Sequence, residues 1–307
     1  MKRQWCITMD IEIKLHLGAH KTASTHLQKT LQKNSARLDA GGICYIPLAR
    51  LRTIFTRQLR RAFRSARDSN VKSLNKGILL SLKDELHRRE SETGMRYRSL
   101  ILSDENIFGS LKRLHDSGAL YGDCEMRLEC LAGLFRGCNV KVIYGIRNYA
   151  DFYPSAYSEL VRDGATCDSF SEFMDRLHLE NNSWTTICRC ISAAFGEANT
   201  RVFRHEDYAR IIGNIIEEIA GSSTGIEFDR DRMVRKSLPE RGTRAVIALA
   251  GILSDQERKR LGSYLATNFE FDPPVEKVAI KDGDLRIALE QKYRQDLNDL
   301  SRYLIGV

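Results

Sequence analysis

Short apolar runs at residues 11–17, 99–103, 140–146 and 201–203, with a shorter one at 43–46, alternate with stretches whose apolar residues recur at helical spacing. This alternation predicts an α/β fold: a mostly parallel central sheet with helices on both faces, where ligands bind beyond the carboxyl ends of the strands. From about residue 239 onward the pattern is helical, broken by "FEFDPP" near Phe269, with no further strand. No repeat or Gly/Pro/Ser-rich linker marks a boundary. The expectation is one domain over 1–307, with a core of about 11–250 and a helical C-terminal extension at 251–307.

A chain of 307 residues can bury about three quarters of its unfolded surface. Its composition, 42% hydrophobic and 29% charged, is that of a folded globular protein. The longest apolar run, "AVIALAGIL" from Ala245, is too short to span a bilayer and reads as part of a buried helix. With no transmembrane segment and no hydrophobic leader in "MKRQWCITMDIEIK", a cytoplasmic location is expected. Eight cysteines without repeated spacing read as reduced thiols, and "CRC" at Cys188 and Cys190 is a poor zinc clamp, so no metal is expected.

The net charge of +8 favours an anionic partner. The densest basic segment, "RLRTIFTRQLRRAFRSAR", places Leu51, Ile54, Phe55, Leu59, Ala62, Phe63 and Ala66 on one helical face, leaving its arginines to project elsewhere. Such a row is either a solvated helix face or a wall for an anionic substrate.

"KLHLGAHKTASTHLQKTL" reads as a strand, a turn at 18–24 and an amphipathic helix with Leu27 and Leu31 inward. Unpaired amides at such a helix start point toward any anion. Lys21 adds a full charge, and Thr22, Ser24 and Thr25 add hydroxyls that can donate to phosphate or sulfate oxygens. A Walker loop needs Gly, four residues, then Gly-Lys-Ser/Thr; Gly18-Ala19-His20-Lys21 is shorter and has no glycine before the lysine. Nucleoside triphosphate hydrolysis is therefore disfavoured.

"VKVIYGIRNYADFYPSAYSELVR" repeats the architecture: a strand, Arg147, then a helix opening near Asp151 with Pro154 in its first turn. Arg147 and Ser155 can converge on one phosphate, for which a guanidinium fork is better matched than an ammonium.

The segment "HLGAHKTASTHLQ" resembles the loop that binds the 5′-phosphosulfate of 3′-phosphoadenosine 5′-phosphosulfate (PAPS) in sulfotransferases, with Lys21, Thr22, Thr25, Leu27 and Gln28 fitting the usual form. Ala23 stands where that family commonly has glycine, which reaches positive φ easily, and Ser24 stands where it commonly has threonine. Arg147 and Ser155 resemble the family's 3′-phosphate segment. "VRKSLPERGTRAV" is similar to the loop over the nucleotide, which implies contacts from Arg235, Lys236 and Ser237. The similarity spans roughly 11–250, and implies a P-loop-like fold, PAPS as donor without a metal, and a hydroxyl or amine acceptor, carbohydrate being favoured.

Sulfuryl transfer needs an in-line donor, charge relief on the leaving phosphate and a base. Lys21 can give the charge relief. "RSLILSDENIFGS" places Glu105 at a strand end and resembles the family's Ser-x-Glu segment, in which the glutamate acts as base; His20, beside Lys21, is the alternative. His16, inside the strand, reads as a core histidine. A P-loop-like phosphotransferase and a non-enzymatic binder of acidic polymer or nucleic acid are the competing classes. The first lacks its loop, and no nucleic-acid-binding motif supports the second.

Overall fold

The computed structural model describes residues 11–65, 71–222, 225–228, 237–271 and 276–306, the side chains of 65 and 71–76 excepted. Five strands, β1 (Glu12–His16), β2 (Ile43–Tyr45), β3 (Ser99–Ser103), β4 (Val140–Ile146) and β5 (Thr200–Arg204), form one sheet in the order β2-β3-β1-β4-β5. Every pair is parallel, with Leu15 of β1 level with Leu102 on one side and Val142 on the other. All five expected strands are present, shifted by no more than a residue at either end.

Between β1 and β2 lie α1 (Ser24–Lys33) and α2 (Ser35–Ala40). Helices α3 (Leu48–Leu51), α4 (Arg57–Ser65) and α5 (Val71–Thr93) precede β3, and α6 (Leu111–Ser117) and α7 (Cys124–Leu134) precede β4. Next come α8 (Tyr149–Arg162), α9 (Phe170–Asp175) and α10 (Trp184–Phe195) before β5. The chain continues through α11 (Tyr208–Ala220), α12 (Glu240–Ala248), α13 (Asp255–Thr267) and α14 (Gly283–Asp299).

Successive strand side chains face opposite ways, so the sheet feeds two interiors. Leu15, Leu102, Val142, Tyr144 and Val202 join a large core with Phe55, Leu82, Leu131, Phe152 and Trp184. Tyr45, Ile101, Ile143 and Phe203 turn to the other face and meet Leu27 and Leu31 of α1 and the isoleucines of α11. Both faces are thus covered by helices, as a parallel sheet requires. His16 is buried with Nδ1 2.8 Å from the Ser103 hydroxyl, a core histidine as expected.

Two readings need correction. Asn148 caps α8 by accepting the Ala150 amide, so that helix opens at Tyr149 and Pro154 sits in its second turn, not its first. The run from Ala245 is not a buried helix: α12 stops at Ala248, only Val246 of this run is fully buried, and Ile252 is 78% exposed. Among the described residues no helix is long and apolar enough to cross a membrane.

The C-terminal helices are built into the sheet's support. Buried Asp296 of α14 accepts hydrogen bonds from Tyr149, Ser183 (2.9 Å), Thr185 (2.8 Å) and the Trp184 amide (3.0 Å). Beyond α14, Leu304 bridges to Val202 in parallel, and the Ile305 amide donates to the Val202 carbonyl at 2.8 Å, along the outer side of β5.

Candidate functional site

The strand order sets the place. The chain winds toward β3 and β2 on one side of β1 and toward β5 on the side of β4, so the β1–β4 boundary is the topological switch point, where α/β sheets open a crevice. A cavity of roughly 370 Å³ lies there. It is lined from the carboxyl ends of four strands: His20 to Thr25 after β1 (Thr22 excepted), Glu105 after β3, Arg147 after β4, and His205 and Glu206 after β5.

The turn after β1 is stitched to β4. Gly18 carbonyl accepts from the Gly145 amide at 2.5 Å and the Ala19 amide donates to the Gly145 carbonyl at 2.8 Å. Gly145 must lack a side chain, because a Cβ there would lie 2.6 Å from the Thr22 hydroxyl and 2.5 Å from the Phe203 ring. The turn then takes Lys21 (φ 64°) and Ala23 (φ 68°) through the left-handed region before α1 begins. Ala23 adopts the conformation a glycine reaches freely, at a cost of roughly 1–2 kcal/mol, and α1 has no side-chain cap.

Lys21 and Arg147 share this one cavity. The Arg147 guanidinium donates through Nη1 to the Lys21 carbonyl (3.1 Å) and to the Ser155 hydroxyl (3.3 Å), so strand-end arginine and helical serine converge as their spacing predicts. The Trp184 indole, donating to the Arg147 carbonyl at 2.8 Å, holds that strand end from behind. Burial pulls the Arg147 pKa down, against the opposing pull of Asp151, Glu206 and Tyr293. The arginine nonetheless stays charged, and no carboxylate among the described residues lies within ion-pair distance. Lys21 Nζ donates to Glu159 Oε2 at 2.8 Å; Glu159 also approaches buried Arg162 at 3.5 Å.

His205 reports the local field. Its pKa is pushed down to about 3, first by burial and then by the charges of Arg147, Lys21 and Lys277. Its Nδ1 is buried without a hydrogen-bond partner among the described residues. Of the four acids that line the cavity, Glu159 pairs with Lys21 within it, and Glu105 and Glu206 are held by groups outside its lining. Glu206 accepts from the Asn148 amide and the Tyr293 hydroxyl, both at 2.8 Å, and Glu105 accepts from Gln28 (3.1 Å) and Arg52 (3.4 Å). The His20 amide donates to the Tyr121 hydroxyl at 2.9 Å, and that hydroxyl is 2.8 Å from His20 Nδ1.

Of the residues expected from sequence, His20, Lys21, Ala23, Ser24, Thr25, Glu105, Arg147, Ser155 and Ser237 line the cavity. Thr22 does not: it is fully buried and its hydroxyl donates to the Ala19 carbonyl at 2.7 Å, bracing the turn. Ser24 makes a similar bond at 3.2 Å while still lining the cavity. Arg235 and Lys236 lie outside the described residues. Sequence reasoning missed Glu159 and Lys277. Glu159 was detectable, since Asp151, Ser155 and Glu159 recur every four residues on one face of α8; Lys277 sits in no motif.

A cavity lined by three cations, helix-start amides and hydroxyls together with four carboxylates and three imidazoles offers groups that can hold a polyanion and others that can receive a proton beside it. No protein-family model matches the chain, and no curated protein matches it significantly.

Proposed function

We propose that the protein transfers a sulfuryl group from PAPS to a hydroxyl or amine acceptor, a carbohydrate being the favoured class, as a cytoplasmic enzyme of P-loop-like fold. One observation carries the reading: Lys21 and the Arg147–Ser155 pair, each resembling one anchor of a doubly phosphorylated adenosine, line a single cavity and are joined by the Arg147 to Lys21 carbonyl hydrogen bond. The partly buried guanidinium without a carboxylate partner among the described residues suits a phosphate, since an unpaired charge withdrawn from water is costly.

In this reading the acceptor oxygen or nitrogen attacks sulfur as the sulfur–oxygen bond to the 5′-phosphate breaks. The charge left on the departing adenosine 3′,5′-bisphosphate is relieved by Lys21 and the amides at the start of α1. The acceptor's proton goes to Glu105, with His20 as the other candidate within the same cavity. Ser24, Thr25 and Ser237 offer hydroxyls to the bound nucleotide.

Thermal denaturation with nucleotides tests the proposal. Adenosine 3′,5′-bisphosphate raises the melting temperature without added metal, ATP does so weakly, and Arg147→Ala abolishes the first effect, a charge-assisted hydrogen bond contributing about 1.5–3 kcal/mol. A larger shift from ATP with Mg²⁺, or an undiminished shift in Arg147→Ala, overturns it.

A further inference from the structure

The arginine-rich segment does not end as a plain helix face. Between α3 and α4, residues Arg52–Thr56 form a π turn, with the Arg57 amide donating to the Arg52 carbonyl. The cause is one buried carboxylate. Asp104 accepts from Arg52 through Nε (3.1 Å) and Nη2 (2.9 Å) and from the Thr56 hydroxyl (2.8 Å), so both ends of the wide turn are clamped to it. Such turns concentrate at functional sites. Arg52 also reaches Glu105, which lines the cavity.

Beyond the π turn, Leu59, Ala62 and Phe63 are buried, while Arg57, Arg60, Arg61 and Arg64 are exposed on one face of α4. At 1.5 Å per residue the row covers about 10 Å of helix axis. Nearby arginines are neutralised: Arg50 by Glu85, Arg52 by Asp104, Arg89 by Asp39. Arg57, Arg60 and Arg64 have no carboxylate within ion-pair distance among the described residues. Among the described residues, Arg57, Arg60 and Arg64 thus form a cationic row without a carboxylate partner, one π turn from a side chain in contact with Glu105.

We propose that this row is the track for the acceptor, a polyanionic polysaccharide, and that it leads the chain to Glu105; this rests on the sulfuryl-transfer reading above. A polysaccharide offers a hydroxyl on every unit to a base at the end of the track. Single-stranded nucleic acid fits less well, because it relies on exposed aromatic platforms, and the rings of this segment, Phe55 and Phe63, are buried.

The test compares the wild type with the triple variant Arg57→Ser, Arg60→Ser, Arg64→Ser. Affinities are measured for polygalacturonate, neutral dextran and a single-stranded oligonucleotide of matched charge, across a salt series, with the adenosine 3′,5′-bisphosphate melting shift recorded for both proteins. The wild type binds polygalacturonate more tightly than the oligonucleotide and does not bind dextran. The triple variant loses roughly tenfold or more in polygalacturonate affinity and shows a flatter salt dependence, with its nucleotide shift intact. Equal polygalacturonate binding by both proteins, or tighter binding of the oligonucleotide, overturns the track. Absence of a nucleotide shift in the wild type, with the polysaccharide result as expected, removes the donor reading while the row stands as a polyanion-binding surface.

Discussion

Lys21 Nζ lies 2.8 Å from Glu159 Oε2, so the cavity already contains a carboxylate at the lysine that the proposed ligand's anion has to engage. Glu159→Gln removes that competitor. Adenosine 3′,5′-bisphosphate is expected to bind about five- to tenfold more tightly to this variant by isothermal titration, a change of about 1–1.4 kcal/mol, the scale of one unit charge screened by water. Lys21→Ala has the opposite effect. Weaker binding in Glu159→Gln means the carboxylate orients the lysine and does not screen it.

Glu105 and His20 are separable as candidates for the proposed base. Glu105→Gln keeps the side chain's size and can still accept from one of its two donors, Gln28 or Arg52, but cannot accept the proton, so turnover is expected to fall by about 10²–10⁴ with nucleotide affinity unchanged. His20→Asn, in the same assay, loses less. The reverse ranking assigns proton removal to the imidazole paired with Tyr121.

Ala23→Gly relieves a strained backbone, since φ is 68° at that position. The left-handed penalty disappears, partly offset by the greater freedom of glycine in the unfolded chain, leaving a gain of about 0.5–1 kcal/mol. Urea unfolding checks this: the midpoint rises at constant slope. An unchanged or lowered midpoint shows that the Ala23 methyl contributes packing worth more than the strain.

His16 makes stability depend on pH in one direction. Burial pushes its pKa down to about 4, with the charge of Asp104 opposing the shift. Its folded value thus lies below the unfolded value of about 6.5, and the unfolded chain takes up the proton first. Stability is full above about pH 6.5 and is lost as pH falls toward 4, by on the order of 3 kcal/mol. His16→Gln flattens the stability profile across that window; a parallel profile excludes the histidine as the cause.

The strands were readable because each is a short run of apolar side chains, and a sheet covered on both faces leaves little else for such runs to be. Lys21, Glu105 and Arg147 were readable for a related reason: each stands just past such a run, where the topology forces residues to the sheet's binding edge. What lay hidden depends on direction or on distance in sequence. The hydroxyl of Thr22 turns inward to Ala19, a rotamer choice that composition does not encode. Helix α14 reads as an appendage, yet Asp296 and Tyr293 brace Tyr149 and Glu206 from more than 80 residues away. The π turn at Arg52 follows from Asp104, a partner 52 residues later.

The parallel contact of Leu304 and Ile305 with Val202 has a consequence for handling the protein. Among the described residues strand β5 has no other strand on its outer side, and these few residues are what stands there between its backbone and a neighbouring molecule. Cutting the chain before Leu304, or forcing that segment away with a fused tag, would expose a template for intermolecular pairing, and such preparations should self-associate on concentration while the cavity at the strand ends remains intact.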